Sequence, residues 1–240
     1  MSLRLTLVKK RSILAVWWEA EDALEAIVDE YERVNHVISF FQDDKARIRG
    51  LETVGPQPGV GLELGSGPGN FTEMLRGFVE GPLICLDYSA LMLSLAKNRN
   101  ESENAGFVRG VFEALPFRGC AISFISAAYA LRDTPDKVKA LEEIREALGD
   151  DGRFLVIDIG KPNNKIVRGV FSLYMRYVVP LLGGLLTRYG YRNPWSVLYK
   201  TYEALPVNGE LKSLMMRVLG HTELEERAFG GLVVATAAKE

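Results

Sequence analysis

Gly59-Val60-Gly61-Leu62-Glu63-Leu64-Gly65-Ser66-Gly67-Pro68-Gly69-Asn70 reads as an apolar strand that ends in an acid and a glycine-rich turn, then opens into a helix over 71–79. Glycine lets a backbone pass close to a ligand and take angles closed to other residues. The helix behind the turn presents free N–H groups, which suit a carboxylate or a phosphate. Two nucleotide-type cofactors use such a turn. The dinucleotide fingerprint is G-x-G-x-x-G, its third glycine packing helix on strand. Here Gly65, Gly67 and Gly69 run as G-x-G-x-G, Asn70 stands where that third glycine belongs, and Glu63 precedes the first glycine by two. A strand-to-helix turn with no ligand is the plain alternative.

The E-x-G-x-G-x-G form resembles the first motif of class I methyltransferases that use S-adenosylmethionine. That resemblance implies that Glu63 meets the methionine amino end and that Gly65, Ser66, Gly67 and Gly69 pass under the cofactor. Pro82-Leu83-Ile84-Cys85-Leu86-Asp87 follows as a second apolar run ending in an acid, and Ser89 caps a helix over 90–98. A carboxylate offers acceptors only, so Asp87 can take both ribose hydroxyls. It can also serve the next helix N-terminus through the dipole. NAD would place an acid here as well, so the choice of cofactor rests on Glu63 and Gly69.

The 240 residues suffice for one domain with an embellishment. An apolar fraction of 48% with 25% charge is that of a globular protein with a substantial core. With 29 basic against 31 acidic residues, no electrostatic footprint favours nucleic acid. Cys85 and Cys120 read as buried reduced thiols, which points to the cytoplasm. Lys9-Lys10-Arg11 and the run Ile13 to Trp18 make no signal peptide, because Glu19 follows at once. The apolar run Tyr177 to Thr187, bounded by Arg176 and Arg188, is shorter than the roughly 20 residues a bilayer span needs. No span is expected.

Residues 1–55 read as an N-terminal helical cap, closed by Pro56 and Pro58. From 56 to 240 strands and helices alternate: strand 60–64, helix 70–79, strand 82–87, helix 89–98, strands 106–109 and 121–126, helix 136–148, strand 152–159. An apolar, aromatic-rich lid insertion occupies 160–206. Helix 208–219 and strands 221–228 and 231–238 close the chain, the last two as a hairpin through Gly230-Gly231. The expected fold is α/β and Rossmann-like: a seven-stranded, mostly parallel sheet in the order 3-2-1-4-5-7-6, with one antiparallel strand and helices on both faces. The cofactor is expected at the carboxyl ends of strands 1 and 4.

Further motifs make the resemblance specific. Tyr31-Glu32-Arg33-Val34-Asn35 with Ser39-Phe40 is similar to the Y-D-x-M-N…S-F segment of the quinone-biosynthesis (ubiquinone and menaquinone) C-methyltransferases. Leu86-Asp87-Tyr88-Ser89 with Met92-Leu93, Glu113-Ala114-Leu115-Pro116-Phe117, Ala130-Leu131-Arg132-Asp133 and Asp158-Ile159-Gly160-Lys161-Pro162 are similar to four more of its motifs. Tyr177 to Gly183 and Phe229 to Ala235 extend the match to the C-terminus. It implies methylation of the ring of a demethylmenaquinol or polyprenyl benzoquinol, with Tyr88 and Phe112 beside adenine. The chain departs from the family at Val111, where an acid for the adenine amino group is usual, and at Asp133, where Asn is usual.

A ring carbon becomes nucleophilic when an ortho hydroxyl loses its proton, and a phenol titrates near pH ~10, so a base or an electrostatic stabiliser is needed. The resemblance places proton handling at Arg132 and Asp133, acting with water. Asp133 can take the proton itself, or Arg132 with a water can. The second is expected, since Arg132 keeps the family pattern and Asp133 does not. The alternative is structural: Thr134-Pro135 as helix N-cap and first residue, with Asp133 just outside. Tyr31 and Asn35, four apart on a helix, can line the ring pocket. His36 is expected in an exposed helix position. No Cys/His spacing suggests a metal. The insertion's apolar surface suits an isoprenoid tail, and residues 165–187 suit peripheral contact with the inner face of the membrane that carries it. Two alternatives stay open: an O- or N-methyltransferase of another small apolar molecule, and a non-catalytic cofactor-binding partner protein.

Overall fold

The computed structural model describes residues 28, 30–100, 104–117, 119, 121–187, 189–190 and 193–239. The expectations for residues 1–27 and for Cys120 lie outside the described residues. Two helices open the described chain, α1 (Tyr31–Ile38) and α2 (Gln42–Val54). Then come β1 (Gly61–Leu64), α3 (Asn70–Leu75), β2 (Leu83–Asp87), α4 (Ala90–Arg99), β3 (Ala105–Arg109) and β4 (Ile122–Ala128). They are followed by α5 (Lys137–Ala147), β5 (Leu148–Ile159), α6 (Lys165–Leu173), α7 (Val179–Leu186) and α8 (Val197–Ala204). The chain closes with α9 (Asn208–Leu219), β6 (Thr222–Arg227) and β7 (Leu232–Ala238).

The strands form one sheet in the expected order, β3-β2-β1-β4-β5-β7-β6. Strands β1 to β5 pair in parallel, and β7 runs antiparallel to both β5 and β6. A sheet covered on both faces needs apolar side chains on both, which is why its central strands read as unbroken apolar runs. On β5, Phe154 and Val156 join Leu62, Leu64, Leu141 and Leu211 on one side. Leu155 and Ile157 join Leu51, Phe71, Leu75 and Phe124 on the other. α2 belongs to this second layer through Ala46, Leu51 and Val54. Gly50 brings it close, since a Cβ there would lie 2.8 Å from Ile157 Cδ1.

Three local expectations are corrected. The helix after the glycine turn ends at Leu75, because Val79 leaves it to bridge Gln57. The helix before β5 is capped by Asp136, whose Oδ1 accepts the Lys139 N–H at 3.2 Å. Thr134 is extended at ψ 123, as a residue preceding proline tends to be, so Thr134-Pro135 does not start that helix. In the insertion, α6, the π-helical turn Tyr174–Val178 and α7 run on as one 22-residue helix, Lys165–Leu186. Over its most apolar 18 residues the mean hydropathy is 1.4, which makes it long and apolar enough to cross a membrane. The expectation stopped at Arg176, whereas the helix continues through it. The inner face is already packed: Met175 and Val179 are buried with Val34, Trp195, Tyr202 and Leu205.

Leu155 lies fully buried between β5 and α2, whereas Met216 on α9 is half exposed. Leu155→Ala is expected to lower stability by about 2–5 kcal/mol through the cavity it leaves, and Met216→Ala by no more than about 0.5 kcal/mol. Urea unfolding of the two variants checks this, and equal losses would contradict the two-layer core.

Candidate active site

Gly65, Gly67 and Gly69 all take positive φ, at 69°, 54° and 90°. Two of them are packed: a Cβ on Gly65 would collide with Ala130, and one on Gly69 with Asn100. Gly67 differs, because a Cβ there would meet nothing within 4 Å. Its Cβ side faces open space beside the carboxyl ends of the strands. The Gly67 N–H donates to Asp87 Oδ2 at 2.8 Å, and the Ser89 N–H donates to Oδ1 at 2.9 Å. A carboxylate accepts about four hydrogen bonds, so fixing two loops does not preclude accepting from a ribose. The structural and the binding reading of Asp87 are thus compatible. Ser66 is buried, and its hydroxyl finds no partner among the described residues.

Glu63 is buried at the end of β1, where Thr72 Oγ1 donates to its Oε2 at 2.5 Å. Burial pushes its carboxyl up to about 8, although the Thr72 hydroxyl and the Arg47 guanidinium oppose the shift. Burial likewise pushes the neighbouring Cys85 thiol up to about 12. Glu63 lines a cavity of about 130 Å³ whose wall also holds Tyr88, Met92, Val111 and Phe112. The Arg109 guanidinium lies 5.3 Å from the Tyr88 ring centroid, and its Nε donates to the Tyr88 carbonyl at 2.8 Å. Val111 stands in this wall, so an adenine there would meet no side-chain acid at that position. An orphaned hydroxyl, an open glycine and a buried carboxyl fit S-adenosylmethionine as the resemblance implies.

A second cavity, about 630 Å³, lies between the sheet rim and the insertion. That size is within the roughly 300–1,000 Å³ of small-molecule sites. Its wall is mostly apolar, with Phe171, Tyr174, Met175, Val179, Trp195 and Leu198. Arg47, Tyr129 and Asp133 line both cavities, so the two meet there. Arg132 lines the second cavity alone. Buried Asp158 accepts from the Arg132 backbone N–H at 2.9 Å and from its Nη1 at 3.2 Å. Arg132 Nη2 lies 3.3 Å from Asp133 Oδ2. Burial pushes the Asp133 carboxyl up, Arg132 pulls it back, and Asp158 adds to the rise.

Several residues at this junction carry no motif. Arg47 Nη1 donates to Asp44 Oδ1 at 2.7 Å and Asp43 Oδ2 at 3.5 Å, and its guanidinium sits 5.2 Å from the Tyr129 ring centroid. Asp43 is buried and also binds Ser39 Oγ and His36 Nδ1, both at 2.8 Å. His36 is therefore not an exposed helix residue: it turns inward to reach Asp43. Asp43 and Arg47 share one face of α2 at a spacing of four, a signal that also fits a solvated helix. His36, Asp43 and Asp44 lie within metal-ligating reach of one another, but the Arg47 guanidinium supplies the positive charge there. Asn35 lines the second cavity as expected. Tyr31 heads α1, and the expectation for its side chain falls outside the described residues.

The ubiE/COQ5 methyltransferase family model matches residues 17–239, further toward the N-terminus than the motifs above reach. A protein of Lactococcus lactis subsp. lactis (strain IL1403) named demethylmenaquinone methyltransferase is 32% identical over 222 residues, covering 90% of this chain and 87% of its own. One of the same name from Staphylococcus aureus (strain JH9) is 29% identical over 213 residues, covering 87% of each. A solved S-adenosylmethionine-dependent methyltransferase of Thermotoga maritima, a possible histamine N-methyltransferase, superposes with a TM-score of 0.65 at 19% identity. It covers 91% of this chain and 99% of its own, and it speaks for the fold alone.

With its carboxyl at about 8, Glu63 is mostly protonated at pH 7 in the absence of cofactor. An ammonium group beside it favours the carboxylate. Binding of S-adenosylmethionine at pH 7 is therefore expected to release a proton, and affinity to rise with pH toward about 8, above which the α-amino group of the cofactor itself loses its proton and affinity falls. Calorimetry in buffers of different ionisation enthalpy reads that proton directly. Glu63→Gln is expected to lose both effects, and identical heats for the wild type in every buffer would remove Glu63 from the site.

Proposed function

Because the chain belongs to the ubiE/COQ5 methyltransferase family and is an S-adenosylmethionine-dependent methyltransferase, we propose that it methylates a ring carbon of a prenylated, demethylmenaquinol-like quinol. The observation that carries this reading is the junction of the two cavities: a polar one under the glycine turn and a large apolar one under the insertion, meeting at Arg47, Tyr129 and Asp133. The names of the Lactococcus and Staphylococcus relatives favour the same substrate class.

S-adenosylmethionine, when bound, supplies a methyl group made electrophilic by its sulfonium. We assign Glu63 to its amino end, Gly65, Ser66, Gly67 and Gly69 to the turn beneath it, Asp87 to the ribose, and Tyr88 and Phe112 to adenine. The quinol ring lies at the junction, its tail in the apolar cavity. There Asp133 takes the ortho hydroxyl proton onto a carboxylate oxygen. Once the ring carbon has bonded the methyl, that carbon's own hydrogen leaves as a proton to water and Asp133 returns its proton to the oxygen, which restores the aromatic quinol. A carboxyl raised by burial is a stronger base than an ordinary one and closer to a phenol near pH ~10. Arg132, itself held by Asp158, fixes that carboxylate from the side of Oδ2. This geometry favours Asp133 over the arginine-and-water alternative. The Arg47 guanidinium, beside Tyr129, stabilises the phenolate that forms. Tyr31 is kept as a ring-pocket residue on the resemblance alone. The apolar walls exclude water and hold the ring for an in-line approach, from which much of the barrier reduction comes. A tail longer than the cavity leaves through its mouth. The protein then works from the cytoplasm, with residues 165–187 against the inner face of the membrane.

Asp133→Asn keeps shape but removes basicity. Single-turnover rates on a prenylated naphthoquinol are expected to fall by about 10²–10⁴, with cofactor affinity nearly unchanged. Arg132→Ala is expected to fall as well, and the wild type to turn over a tail-less analogue with higher KM. Full activity of Asp133→Asn would return the proton to a water beside Arg132, whose guanidinium would stabilise the phenolate. Equal KM with and without the tail would remove the tail from the apolar cavity.

A further inference from the structure

The inner face of Lys165–Leu186 is packed on the protein, but its outer face is covered by nothing among the described residues. Ile166, Val170, Leu173, Tyr177 and Leu181 recur at three- to four-residue spacing and are exposed, as are Val178 and Leu185; Ile166 is 80% and Leu185 73% exposed. A stripe of that period, turned outward, is the pattern of a helix that lies in an apolar–aqueous interface. Spanning would strip Met175 and Val179 from their partners, so an in-plane position is the one the packing allows.

The apolar cavity opens on this same face, since Ile166 and Val170 belong to both the stripe and the cavity wall. Two further rings stand at the wall's edge. Phe229, in the turn between β6 and β7, is 91% exposed, and Phe40, between α1 and α2, is exposed too. Both take the left-handed backbone region, at φ 57° and 52°, which is a genuine outlier for a bulky side chain. Such strain persists only where surrounding structure enforces it, and it gathers at ligand clamps and functional sites.

Charge decides what covers the face. Residues 159–202 hold seven Lys and Arg and no Asp or Glu, which leaves nine net negative charges on the rest of a chain whose total is −2. Within the helix, Lys165 and Arg176 are about three turns apart and so share one flank of the stripe. An apolar stripe on a helix whose charged side chains are all cations complements a bilayer that carries anionic lipid.

We propose that this face docks in the plane of an anionic bilayer, with Phe229 and Phe40 dipping into it, so that the apolar cavity opens into the lipid and takes its substrate's tail sideways from the membrane. The proposal rests on the prenylated-substrate reading but is tested without turnover. In cosedimentation, the wild type is expected to bind vesicles of phosphatidylglycerol mixed into phosphatidylcholine at least tenfold tighter than phosphatidylcholine alone, and to be released by salt. Removing two basic side chains near an anionic surface weakens binding roughly thirtyfold, so Lys165→Glu/Arg176→Glu is expected to lose at least that much. Leu181→Ser/Leu185→Ser is expected to lose binding to both vesicle types. Both variants are expected to keep wild-type affinity for S-adenosylmethionine and the wild-type urea unfolding midpoint in solution, which shows them folded. Equal binding to the two lipid compositions, or unchanged affinity in both variants, would overturn the proposal. So would a lipid-free dimer that the leucine variant dissolves, because the face would then belong to a second copy. Vesicle binding with no turnover of any quinol would support the docking and sink the substrate reading, so the two fail separately.

Discussion

The Asp87 carboxylate accepts one N–H from the turn after β1 and another from the turn after β2. That one group ties together the loops at the carboxyl ends of two adjacent parallel strands, where such sheets bind their ligands. It holds Gly67 at positive φ with its open side toward the cofactor cavity. The neighbouring glycines pack against Ala130 and Asn100, so the turn cannot relax away. Everything else in the site is placed relative to this crossing: Glu63 below it, Tyr88 beyond it, and the rim of β4 opposite.

That rim is organised by buried charge. Asp158 on β5 binds both the backbone and the guanidinium of Arg132, and Arg132 in turn meets Asp133. Removing one partner of a buried pair costs about 3–5 kcal/mol because the other is left uncompensated. A second group of this kind, Asp43 with Arg47, His36 and Ser39, faces it across Tyr129. The rim therefore joins two rigid polar clusters around a small opening. The apolar cavity beyond the rim is shaped by the insertion, whose own core of Trp195, Tyr202, Met175 and Val179 anchors it to α1 through Val34.

The sheet was legible because its physics is local. Leu62 to Leu64 and Phe154 to Ile157 read as strands buried on both faces, and Gly230-Gly231 announced the antiparallel return. Glu63 and the glycine spacing separated one nucleotide-type cofactor from the other. Arg47 and Asp43 escaped notice because charges four apart on a helix usually face solvent, and only the docking of α2 on β5 buries them. His36, near the end of α1, turns inward only because the chain brings Asp43 within 2.8 Å of its ring nitrogen, a contact that helix spacing does not report. Arg176 marked a false border, since a π-helical turn carries the chain past it. The junction itself draws on residues 47, 129 and 133 from separate parts of the chain, and no local period reports such a meeting. The proposed preference for Asp133 rests on a contact of Arg132 with Asp158 that resemblance alone did not place there.

As proposed, the junction at Arg47, Tyr129 and Asp133 delivers a methyl group to carbon. The most direct measurement uses S-adenosylmethionine carrying a ¹³C-labelled methyl with a demethylmenaquinol-like prenylated quinol, and locates the label in the product by NMR. A methyl on a ring carbon, coupled to the ring and not to oxygen, is expected. A label found as a methoxy carbon, or no labelled product from the folded, cofactor-binding protein, would contradict it.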